Sequence, residues 1–109
     1  MIADGVVADE LFASVAEAFR GQPAVTQSKM FGAPGLKVGG KVFACLVKGK
    51  LVVKLRRERV EALLESGYAE RFDPGMGRVM KEWVAVEPRT ADEWLGLAAE
   101  AREFVAAGR

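Results

Sequence analysis

Between Leu36 and Leu55 the chain is punctuated by two glycine turns, and this stretch limits the fold more than any other. Gly39-Gly40 separates Val38 from Lys41, the signature of a two-residue hairpin, and Gly49 marks a second reversal. Three short runs of β-formers joined this way make an antiparallel meander. A three-residue second turn with Gly49 in a left-handed bulge position sorts the side chains onto two faces. Leu36, Val38, Phe43, Cys45, Leu51, Val53 and Leu55 then share one face, with Lys41 at its margin. Lys37, Val42, Ala44, Leu46, Lys50, Val52 and Lys54 share the other. A two-residue turn at Lys48-Gly49 would flip the last strand, because side chains alternate with period two.

Helices flank this meander. Leu11, Phe12, Val15, Ala16 and Phe19 recur at helical spacing, so residues 9–20 are expected to form a helix stopped by Gly21. Residues 56–66 give a second, with Val60, Leu63 and Leu64 inward and Gly67 as its C-terminal cap. Thr90-Ala91-Asp92-Glu93 is a capping box that opens a third, roughly 91–107. Trp94, Leu97, Ala98, Ala101, Phe104 and Val105 form its apolar stripe. Residues 68–78 read as a loop around Asp73-Pro74-Gly75, and residues 79–86 as a strand ended before Pro88. The expectation is an α+β fold: an antiparallel meander of about four to five strands with an N-terminal, a middle and a C-terminal helix packed on it. With 109 residues and no linker or repeat, residues 1–109 read as one domain.

Charge is unevenly placed. Net charge is +1, yet residues 37–59 hold eight basic side chains against Glu58 alone, a local +7. Residues 1–36 carry −2 and residues 60–109 carry −4. Two basic features follow. Lys37, Lys50 and Lys54 line the second sheet face. Lys54, Arg56, Arg57 and Arg59 crowd the start of the middle helix, where free amides and guanidinium groups suit a phosphate or carboxylate. The competing reading is that these long side chains shield the sheet edge with their stems. The second face also carries Val42, Ala44, Leu46 and Val52 among its lysines. If all helices pack on the other side, this apolar surface calls for a cover, and a homodimer would supply it.

Catalytic and metal chemistry finds little footing. The chain has no histidine and one cysteine, Cys45, so the histidine-dependent triads, the common zinc sets and any internal disulfide are excluded. No metal and no cofactor is expected. Cys45 reads as a buried, inert thiol on the core face. The longest apolar run, residues 42–47, is far too short to span a bilayer, and the N-terminus does not read as a signal peptide. The expectation is a cytoplasmic protein with no membrane partner.

Lys29-Met30-Phe31-Gly32-Ala33-Pro34-Gly35-Leu36 resembles the start of the N-terminal domain of the TfoX/Sxy family. The resemblance continues through Gly40-Lys41-Val42-Phe43-Ala44 and Leu51-Val52-Val53-Lys54-Leu55. It runs on through Phe72-Asp73-Pro74-Gly75-Met76-Gly77-Arg78 and Met80-Lys81-Glu82-Trp83-Val84, and spans roughly residues 29–105. These are turn glycines and core apolars, and their order carries the match. The resemblance implies an α+β fold similar to the YjbR/MmcQ type and a link to natural competence for DNA uptake. It supplies no catalytic residue. Three readings follow. The first is a non-enzymatic binding or regulatory module acting by protein contact or on an anionic partner. The second is a nucleic-acid-binding protein using the basic 37–59 segment. It is weakened because the one aromatic there, Phe43, is assigned to the core. The third is an enzyme or binder for a small anion at residues 56–59, which lacks a general base.

Overall fold

The computed structural model describes residues 4–30, 33–72, 82–88 and 90–108. Elements follow the order α1 (Asp4–Ala18), β1 (Val25–Met30), β2 (Ala33–Val38), β3 (Lys41–Val47), β4 (Lys50–Lys54), α2 (Arg57–Ser66), β5 (Ala69–Arg71), β6 (Trp83–Val86) and α3 (Ala91–Ala106). The fold is α+β. The six strands form one antiparallel sheet in the order β1-β2-β3-β4-β6-β5, two layers deep with the helices on one side.

The sheet has six described strands where four to five were expected. The extra strand is β5, which pairs with β6 through Ala69 opposite Val86 and Arg71 opposite Val84. Its three residues lie in a stretch that reads as a loop, because a strand this short has no periodicity of its own. Strand β6 is shorter than the expected 79–86. Residues 73–81, which include the expected Asp73-Pro74-Gly75 loop and the start of the expected strand, lie outside the described residues.

The helices form for local reasons. In α1 the buried stripe extends back to Ala8, so Ala8, Phe12 and Val15 recur one and two turns apart, and the helix starts before residue 9. Helix α2 ends on Gly67, whose φ of 86° lets its amide reach the Leu64 carbonyl. In α3 the Thr90 Oγ1 accepts from the Glu93 amide at 3.2 Å, as the capping box requires. Trp94 follows, fully buried, and its indole N–H donates to the Glu87 carbonyl at 3.0 Å.

Two turns and one bulge decide the faces. Val38 sits opposite Lys41 and Val47 opposite Lys50, so both hairpins close with two residues. The second turn therefore departs from the expected three-residue loop. Lys48 (φ 51°) and Gly49 (φ 77°) both adopt left-handed backbone, the geometry of a type I′ turn. Strand β4 is nevertheless not flipped, because β3 contains a compensating bulge. Leu36 pairs with Ala44 but Lys37 pairs with Val42, leaving Phe43 as the additional residue. Phe43 and Ala44 both enter the core, and everything after them on β3 changes side.

Leu36, Val38, Phe43, Leu51, Val53 and Leu55 lie on the helix-covered face as expected. Ala44 and Leu46 join them there rather than lying on the second face. Cys45 moves the other way and forms a small cluster with Val52 and Ala85 on the helix-free face. Burial of Cys45 holds, while its assigned side does not. The main core gathers these strand residues with Phe12, Val15, Val60, Trp94, Ala98 and Ala101. Phe19 and Phe43 meet edge to face within it at 5.4 Å.

Candidate functional site

The helix-free face has a regular layout set by strand register. One row is apolar and packed: Cys45 opposite Val52, and Val52 opposite Ala85. All three are at least nine-tenths buried. The next row, towards the Gly39-Gly40 turn, is polar and aromatic. There Thr26 sits opposite Lys37, Lys37 opposite Val42, and Lys54 opposite Trp83. Phe72 follows β5, with its ring 6.4 Å from that of Trp83 and tilted by 51°. Lys37 and Lys54 are half-buried, a pattern expected when aliphatic stems lie along an apolar row and the ammonium groups reach water. Strands β2 and β4 run in the same direction two strands apart, so these lysines are roughly 10 Å apart at about 4.8 Å per strand.

Helix α2 begins directly after β4 and so starts at this same end. The Leu55 amide donates to the Glu82 carbonyl at 2.8 Å, which fixes the end of β4. Arg56 is extended at the N-cap position, with no side-chain cap hydrogen bond, and Arg56 and Arg57 are exposed. Cations at a helix N-terminus oppose its dipole, a local rule broken here without a counterion on Arg56 or Arg57 among the described residues.

The four residues assigned to an anion site are divided by the fold. Arg59 turns towards α3 and grips Glu100 in a forked pair, Nε to Oε1 at 3.1 Å and Nη2 to Oε2 at 3.2 Å. Lys54 projects on the opposite face of the sheet from α3. The hollow at the α2 start is lined by Arg56, Arg57 and Arg59 but also by Glu58, Glu82, Glu100 and Glu103. Its charge is mixed rather than cationic. Of the three lysines assigned to the second face, Lys37, Lys50 and Lys54 all lie there. Lys50 is taken up by Glu70 at 2.6 Å, at the end of the sheet away from the Gly39-Gly40 turn.

Trp83 and Phe72 are the residues that the sequence reading missed. Trp83 lies 29 positions after Lys54, and only the pairing of β4 with β6 puts them side by side. The premise for a homodimer through the second face also changes, since Ala44 and Leu46 are buried in the core. Among the described residues Tyr68 is the one large apolar side chain that stands exposed, at 48 %. Cys45, the single thiol, is pushed up to about 11 by burial. Among the described residues no group of three or more potential ligands is placed to hold a metal, and no helix is long and apolar enough to cross a membrane.

Comparison with family models gives a match to the TfoX N-terminal domain over residues 17–107, most of the chain. The chain belongs to the TfoX N-terminal domain family. At the family level this is a regulatory module of the competence type. No curated protein matches the chain. The matched TfoX N-terminal region takes in all six strands, α2, α3 and the basic end of the helix-free face.

Proposed function

We propose that this chain is a non-enzymatic binding module, serving competence or transcription regulation, that engages an anionic partner through the basic end of its sheet. One observation carries the reading. Lys50 and Arg59 are held in ion pairs, whereas Lys37 and Lys54 on the helix-free face and Arg56 and Arg57 at the α2 start carry none among the described residues and lie towards the same end of the sheet. Cations left unpaired at one place raise the local potential and steer anions towards it. Family membership supports a regulatory rather than a catalytic role. The single buried thiol suits a reducing compartment, and the reading assumes the cytoplasm.

Binding of inorganic polyphosphate across a salt series tests this. If four cations are engaged, affinity should fall by about 50-fold between 50 and 200 mM salt, from a slope of about −0.7 per neutralised phosphate. Replacing Lys37, Lys54, Arg56 and Arg57 together by alanine should abolish binding and leave the circular dichroism spectrum unchanged. A folded wild-type protein that binds no polyanion at low salt would sink the proposal and leave protein contacts as the remaining route.

A further inference from the structure

Lys54 and Trp83 are opposite each other on neighbouring strands, on the one sheet face that no described helix covers. Two lysines whose backbones lie roughly 10 Å apart can hold a phosphate chain but cannot distinguish one polyanion from another. A partly buried indole beside them adds a flat surface on which a base can stack. Phe72 backs the indole from the β5 side, so the ring is supported against the sheet rather than free to swing away. Duplex DNA hides its base faces, whereas a single strand presents them.

We infer that the anionic partner is single-stranded nucleic acid, with Lys37, Lys54, Arg56 and Arg57 on the phosphates and Trp83 stacking on a base. The inference rests on the proposed function above and adds the class of partner. It also accounts for the placement of Trp83 at this end of the sheet, where an aliphatic residue would cover the apolar row equally well.

The two tryptophans make the test direct. Trp94 is fully buried, with its indole N–H bonded to a backbone carbonyl, so changes in fluorescence on ligand binding report Trp83. The full chain is titrated with a 12-nucleotide oligothymidylate, with duplex DNA and with polyphosphate. The expected result is fluorescence quenching by the oligonucleotide, tighter binding to it than to the duplex, and no quenching by polyphosphate. Trp83→Leu should weaken oligothymidylate binding by about tenfold and leave polyphosphate binding within twofold. Trp83→Phe, which keeps a ring, should recover part of the loss. Either circular dichroism or the buried Trp94 emission verifies that each variant is folded. Equal losses for both ligands, or equal affinity for duplex and single strand, would overturn base stacking while the anionic reading stood. Failure of every polyanion to bind would overturn both.

Discussion

Lys48 is the single described residue other than glycine with positive φ, at 51°, and it sits in the turn that fixes the β3–β4 register. A side chain in left-handed backbone costs about 1 kcal/mol relative to the right-handed form. Asparagine tolerates that region several-fold better, because its short amide bonds locally. Lys48 is exposed and carries no ion pair among the described residues, so replacing it disturbs nothing else. Lys48→Asn should therefore stabilise the protein by about 0.5–1 kcal/mol. For 109 residues, at about 2.1 cal/mol/K each, unfolding entropy is about 0.23 kcal/mol/K, which converts the gain to roughly 2–4 °C in Tm. Lys48→Gln removes the same charge without the conformational relief and should leave Tm nearly unchanged. Gly49→Ala is the converse. No atom lies within 4 Å of the added Cβ, so its cost would come from φ +77° alone. It should lower Tm by roughly 4 °C or more, from a penalty of about 1 kcal/mol or above. Thermal unfolding followed by circular dichroism measures all three. Asn and Gln variants with the same Tm would refute the two-residue turn, and with it the compensating bulge in β3.

Two further outcomes follow from the same structure. Cys45, with its thiol pushed up to about 11 from 9.0, should react with a thiol reagent at pH 8 about 100-fold more slowly in the native protein than in urea, since the thiolate is the reacting form. Because the folded state resists ionisation, stability should be complete below pH 9 and decline as pH rises from 9 to 11, by at most about 3 kcal/mol at 1.36 kcal/mol per pKa unit. A Cys45→Ala variant with the same decline between pH 9 and 11 would assign it to other groups. Thr90→Ala removes the oxygen that accepts from the Glu93 amide and should destabilise by about 1 kcal/mol, whereas Thr90→Ser should retain most of that stability. Equal unfolding midpoints in denaturant for the two variants would show that the cap contributes nothing.

Much of the fold was legible because its signals are local. The Thr90 cap, the Gly67 stop, the Gly39-Gly40 turn and the helical stripes each depend on residues a few positions apart, whose steric and hydrogen-bonding preferences operate before any tertiary contact forms. The α+β class and the basic character of residues 37–59 follow from them directly. What tertiary structure alone decided depends on residues far apart or on a choice between equal local options. A continuous apolar run such as Val42 to Val47 offers no alternation, so nothing in it announces that Phe43 is the bulged residue. The bulge is selected because Phe43 and Ala44 both gain burial beneath the helices. That selection sends Cys45 to the helix-free face. In the same way Arg59 is drawn out of the basic cluster by a carboxylate 41 positions away on α3. Trp83 is brought to Lys54 only when β6 completes its ladder with β4. The sequence by itself determined the elements and the charge they carry. Which side chains share a surface was decided by strand register and helix packing, because side-chain period two makes every face depend on a single residue of offset.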